Sequence, residues 1–292
     1  QQDMNDPAVF AKVETQVDVN EFCNYLIHRA FTGYQIADLN NRYWRNREAN
    51  GKWRWIAADM EHAFGQLGGD PFQENTIGKL AGLSGNLPEW ATLLFNRFLQ
   101  NTAFRDGFIQ RSAAYLNTIY QPAVTLATVD SLQNILQAQM PRHIGRWHTP
   151  ASMQAWLGNI QLIKTFLENR PAYYRQHLTQ LFGNQDSARV SMQIIGQGKV
   201  LLSGVAFSED MDGPFFKNAQ IRLEAIPAQG FRFLGWQGLN STDPLAALVP
   251  LGDTAFAAVF APLNNLSIIP PLIANDTLLS ASASPWFGFQ DV

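Results

Sequence analysis

The chain has 292 residues, 46% of them hydrophobic and only 15% charged, with eight Trp and twenty Phe. Such a sequence can bury a sizeable core, which excludes a disordered chain or a highly solvated coiled coil, and its length suggests about two domains. A net charge of −3 gives no global attraction to nucleic acid or to an anionic membrane surface, although a local patch could still supply one.

The single cysteine, Cys23, rules out an intramolecular disulfide and a cysteine-based zinc cluster. No apolar run is long enough to span a bilayer, and no charged-then-apolar signal segment opens the chain. The first residues are Gln1-Gln2-Asp3, without Met, which points to a processed product or an excised fragment.

Taken in order, the stretch from about Asp18 to Phe182 reads mainly as helices. Asp18 is a suitable N-cap for a helix whose apolar positions Val19, Phe22, Cys23, Leu26, Ile27 and Ala30 recur at three- and four-residue steps. The same period appears in Leu93, Leu94, Phe95, Phe98 and Leu99, in Phe104, Phe108 and Ile109, and in Trp156, Ile160, Ile163, Phe166 and Leu167. One segment breaks it. Arg42 to Arg47, then Asn50-Gly51, then Trp53 to Ala58 reads as a β-hairpin with a tight Asn-Gly turn and alternating aromatic and basic residues.

After Gly183 the texture changes to short strands at Arg189–Ile195, Lys199–Leu202, Gln220–Ile226, Phe231–Trp236 and Phe256–Phe260. Gly196, Gly198, Gly204, Asp212-Gly213-Pro214 and Gly230 separate them as turns. From Pro262 the composition becomes loop-like. The fold class expected is therefore α+β and multidomain. A helical part with an inserted hairpin spans residues 1–187, a small all-β module 188–262, and a linker with a truncated element 263–292.

The chemistry-bearing residues flank the hairpin. Asp38, Asn40 and Asn41 precede it, and Asp59-Met60-Glu61 follows it, so an antiparallel ribbon would bring two polar loops to one end. Phosphoryl transfer needs such a set: an Asp to orient the attacking hydroxyl, and an Asn and a second Asp to hold the metal that neutralises the phosphates. The bland reading is that Asp38 and Asn40 cap turns and that Asp59 and Glu61 open a helix. Arg42, Arg45, Arg47, Lys52 and Arg54 make the hairpin basic, either as a solvated face or as a dock for an acidic protein substrate. His62, His143 and His148 lack paired metal-ligand spacing and read as structural. Arg146-Trp147 reads as a helix-packing and ion-pairing element, and Trp236 as core filler.

Several segments together resemble the CotH kinase family: Val17 to Ile27, Asn40 to Arg45, Lys52 to Trp55, Asp59 to Gly65, Phe104 to Arg111 and His143 to Trp147. The resemblance covers about residues 3 to 183 and implies a kinase C-lobe-like helical fold. It also implies an atypical ATP-dependent protein Ser/Thr kinase that uses Mg or Mn and acts on secreted or surface proteins, outside the cell or at its surface, with no nucleic-acid partner and no membrane span.

By position in that family, Asp59 is the metal-binding Asp, supported by Glu61, and Asn40 or Asn41 the metal-binding amide. The catalytic Asp is Asp38 only if the loop is shortened, because a gapless alignment puts Gln35 or Ile36 in its place. A Gln there could not accept the substrate proton. A pseudokinase or a surface-adhesion protein is therefore the alternative, and an inactive structural fragment a third. The family's nucleotide-covering lobe lies before the first of these helices, so the chain is expected to hold the metal-binding half and to bind ATP poorly alone. The β-module resembles repeat-type modules of bacterial surface proteins, and Pro271 to Asp276 the start of a lamin-tail-like domain.

Overall fold

The computed structural model describes residues 2–34, 41–65, 71–183 and 186–263, with the backbone of 273–274 and 277–278. It is an α+β structure, helical up to Phe182 and β-rich beyond. The expected linker and lamin-tail-like start lie outside the described residues, apart from a two-residue antiparallel ladder joining Ile273–Ala274 to Thr277–Leu278.

Eight helices form the first part: α1 (Pro7–Glu14), α2 (Val19–Phe31), α3 (Thr76–Leu80), α4 (Glu89–Phe98), α5 (Thr102–Leu116), α6 (Pro122–Gln137), α7 (Met140–Trp147) and α8 (Met153–Phe182). Asp18 caps α2 by accepting the Glu21 amide at 3.1 Å, as the sequence suggests. Helix α2 is buried at Phe22, Cys23, Leu26, Ile27 and Ala30, all but Val19 of the positions its period picks out, whereas Leu93, read as a core position of α4, is exposed. Around it Phe22, Phe98, Phe104 and Phe108 make tilted and edge-on ring contacts. Helix α8 carries an Arg and a Tyr in register with its apolar stripe: Phe166, Arg170 and Tyr174 are all fully buried.

Between α2 and α3 lies a two-stranded ribbon, β1 (Arg42–Trp44) against β2 (Arg54–Ile56), in the register Arg42↔Ile56, Tyr43↔Trp55 and Trp44↔Arg54. The tight Asn50-Gly51 turn expected from sequence is not what joins them. A nine-residue loop, 45–53, connects the strands; it turns through the Gly51 amide donating to Glu48 O, and neither Asn50 nor Gly51 adopts a positive φ. Gly51 is required for another reason: a Cβ there would collide with the Asn46 carbonyl.

The second part holds two four-stranded sheets, built from β3 (Ser187–Ile195), β4 (Gly198–Leu202), β5 (Val205–Phe207), β6 (Met211–Phe216), β7 (Ile221–Pro227), β8 (Phe231–Gln237), β9 (Leu245–Leu248) and β10 (Thr254–Pro262). Their orders are β6-β3-β10-β8 and β5-β4-β7-β9, with β3 and β10 parallel and the other pairs antiparallel. Gly198 and Asp212-Gly213-Pro214, expected as turns, are strand residues. Pro214 is tolerated because β6 is an edge strand, where a missing N–H breaks no ladder. Strands β5, β6 and β9 are too short or too broken in pattern to be read from sequence. Trp236 is core filler, as expected: it is buried against Phe233 and Phe256, with its indole N–H donated to Asp243 O.

Helix α5 joins the two parts. Gln110 is fully buried and exchanges three bonds with the β part, its Nε2 donating to Phe216 O and Ala219 O and its Oε1 accepting the Phe216 amide. Next to it Arg111 donates to Ser203 O in the β part and to Asn20 O and Asn24 Oδ1 on α2. The apolar cluster runs without a break from α2 through α5 into the sheets.

Candidate functional site

The ribbon is seated on α2 by its own backbone. Trp53 N–H donates to Gln16 O, Asp18 N–H donates to Trp53 O, and Val17 makes a parallel bridge with Trp53, so residues 16–18 act as a third short strand beside β2. Side chains repeat the join. Glu21 accepts the Trp55 amide at 2.8 Å, Asp18 pairs with Arg54 at 2.9 Å, and the Trp55 ring packs 4.5 Å from Phe22. Burial raises the Glu21 carboxyl above the usual range, opposed by the Trp55 bond.

With this register, the chain entering β1 and the chain leaving β2 sit at the same end of the ribbon, because Arg42 faces Ile56. Asn41 is therefore at that end, and Asp59 follows three residues after Ile56. Asp38 and Asn40 lie outside the described residues. Asp59 is exposed and sits at φ 58°, in the left-handed region that Asp tolerates better than most residues. Glu61 is exposed beside His62, 3.9 Å away. Past them the loop is tied down: Ala63 N–H donates to Met60 O, Phe64 N–H donates to Thr32 O, and the Phe64 ring meets Phe166 edge-on.

Asn41 faces inward. Its Oδ1 accepts from the Tyr25 hydroxyl at 2.9 Å and from Arg29 Nη1 at 2.8 Å, and Arg29 also donates to Tyr25. The Arg29 guanidinium is buried between the Tyr25 and Tyr34 rings, 5.3 and 4.4 Å from their centroids. An amide oxygen has two lone pairs, and both are engaged here, next to a cation. Asn41 as placed does not fit a metal-ligand role. Asp59 and Glu61 are exposed carboxylates of the hard-oxygen type that Mg and Mn take, and no three His, Cys, Asp or Glu side chains converge among the described residues.

Sequence reading missed the residues that hold this region in place. Tyr25 and Arg29 are four apart on α2, which puts them on one helical face; an Arg on the apolar side of a helix is the available signal. Arg170 is stronger. Its guanidinium, fully buried, donates to Phe31 O and Ala30 O at the C-terminal end of α2, and to Phe72 O and Glu74 O on the far side of the excursion between α2 and α3 that carries the ribbon. One side chain thus clamps the point where the chain leaves α2 and the point where it returns, with every candidate residue between them. Burial lowers its pKa to about 10, and the α2 C-terminal carbonyls compensate part of that cost.

Residues 2–174, more than half of the chain, match the family model described as CotH kinase protein. The chain belongs to the CotH kinase family. No curated protein matches it, and no solved structure does. Within the CotH match fall the ribbon, the Arg29–Asn41 cluster and Arg170, while the two four-stranded sheets lie beyond it. Kinase-like chemistry, with a nucleotide as phosphate donor, is the function that membership supports in general terms.

Proposed function

We propose that this chain carries the metal-holding groups of an ATP-dependent protein Ser/Thr kinase that acts on secreted or surface proteins outside the cell. The observation that carries this reading is the ribbon register in a CotH-family chain: the segments before β1 and after β2 share one end of the ribbon, the order in which kinases present their catalytic and metal-holding groups. Asp59 and Glu61 are the carboxylates assigned to Mg or Mn. That cation, when bound, supplies neutralising charge at the phosphates. Of the two amides Asn40 takes the ligand role, because the Asn41 oxygen is engaged by Tyr25 and Arg29.

In the proposed transfer, the Ser or Thr hydroxyl oxygen bonds to the γ-phosphorus as the bond from that phosphorus to the bridging oxygen breaks, and ADP departs. Asp38 receives the hydroxyl proton. The basic ribbon, with Tyr43 and Trp44 exposed, is suited to an acidic stretch of the protein substrate.

A second reading, a pseudokinase or surface-binding protein, is favoured by one specific feature: the buried cation Arg29 bonds the amide that immediately precedes the ribbon. Autophosphorylation of the protein with radiolabelled ATP and Mg or Mn separates the two. Asp59→Ala is expected to abolish labelling, and Asp38→Asn to lower it about 10²- to 10⁴-fold, the usual contribution of a general base. Equal labelling of Asp59→Ala and the unsubstituted protein removes the kinase reading.

A further inference from the structure

The tip formed by α6, α7 and the first half of α8 carries none of the candidate site residues, although its groove reaches Thr32 and Phe64 beside them, and its surface is unusual. Of the twenty large apolar side chains exposed among the described residues, eight lie between Ile119 and Leu162, including Leu132, Ile135, Leu136, Trp147 and Leu162. Between α6 and α8 runs a groove of ≈ 510 Å³, within the range of small-molecule sites, with walls that are almost wholly apolar: Leu132, Leu136, Trp156, Ile160 and Ile163. Apolar side chains gathered on one exposed part of a fold mark an interaction surface.

Charge is just as uneven. The chain is net acidic, but no Asp or Glu occurs from Ser131 to Leu167. Lys164 there is paired with Asp130, whereas Arg142 and Arg146 form no ion pair among the described residues. Helix α7 has no buried residue. Met140, Ile144 and Trp147 share one stripe of it, and Arg142 and Arg146 lie on the other side. The Arg146–Trp147 pair expected from sequence to pack helices together does not do so: Trp147 is 60% exposed, with the Arg146 guanidinium 4.9 Å from its ring.

We propose that this tip docks on an anionic lipid bilayer, lying on the surface without crossing it. Trp147 and the exposed Leu and Ile side chains enter the boundary between headgroups and acyl chains, the α6–α8 groove receives an acyl chain, and Arg142 and Arg146 pair with lipid phosphates. Charge complementarity selects an anionic occupant, and the exposed apolar side chains, spread over three helices, suit a deformable lipid surface better than one rigid protein face. The proposal does not depend on kinase activity.

The test is flotation of the full chain with vesicles of phosphatidylcholine, alone or with equimolar phosphatidylglycerol. Binding is expected only with the anionic vesicles, weakening as salt is raised, and brominated acyl chains should quench tryptophan fluorescence. At ~1 kcal/mol per cation near such a surface, Arg142→Gln with Arg146→Gln lowers partitioning about thirtyfold. Trp147→Ala lowers it as well, and Arg45→Gln on the ribbon leaves it unchanged. These side chains are exposed, so an unaltered urea midpoint will verify folding; should a variant fail, salt dependence and quenching of the unsubstituted protein still decide. No binding, equal binding to neutral vesicles, or binding insensitive to the tip variants overturns the proposal. Capture of a soluble acidic peptide at the tip, with no vesicle binding, overturns it in favour of a protein partner.

Discussion

Arg170→Met is the substitution that most directly tests how the site is held. Arg170 is fully buried and has no carboxylate among its hydrogen-bond partners; its charge is met by the carbonyls of Ala30, Phe31, Phe72 and Glu74. Bonds from a charged donor contribute about 1.5–3 kcal/mol each, but the guanidinium's own desolvation offsets several kcal/mol of that total. Met fills similar volume and removes the desolvation cost, yet leaves four inward-facing carbonyls without this donor. The net loss expected is about 3–5 kcal/mol, in line with breaking other buried charged networks. Urea unfolding followed by tryptophan fluorescence measures it. Because the clamp spans the excursion, hydrogen exchange should rise first at Thr32–Tyr34 and at Phe72–Glu74, below the denaturation threshold. Arg170→Lys keeps the charge but cannot span both sides, and should recover less than half of the loss. A loss under about 1 kcal/mol for Arg170→Met, with unchanged exchange in these segments, refutes the clamp.

Burial, with Arg170 nearby, lowers the pKa of His177 to about 4 from an ordinary 6.5, so the folded chain binds its proton less readily than the unfolded chain. Stability from this group is complete above pH 6.5 and is lost as pH falls towards 4, by about 3 kcal/mol at most; His177→Gln should flatten that part of the stability profile in urea titrations. Asp18→Ala removes the α2 cap and the partner of Arg54 together, and thermal melting should show a loss of about 1–2 kcal/mol, mostly from the cap because the ion pair is half exposed. Gln110→Leu deletes three buried bonds between α5 and the β part and should cost about 3 kcal/mol; if the two parts then unfold in separate transitions, α5 is their coupling element.

Much of this could be read before any coordinates. Asp18 announces the start of α2, the three- and four-residue spacing of Val19 to Ala30 gives its buried face, and the loss of that period after Gly183 marks the change from helix to strand. These signals are local, and local geometry alone enforces them. Family membership was legible for the same reason, being carried by short contiguous segments.

What the sequence by itself determined is the order and type of the main elements and the placing of Asn41 and Asp59 on either side of a ribbon. Tertiary structure alone decided where those side chains are directed. Tyr25 and Arg29 draw Asn41 inward, Arg170 reaches from α8 across 96 to 140 residues of sequence to clamp both ends of the excursion, and Trp147 is left bare at the tip. The physical reason is that a cap or a period is fixed by neighbours within one or two turns, whereas the fate of a buried guanidinium or an exposed Trp depends on which distant carbonyls and faces the fold brings to it.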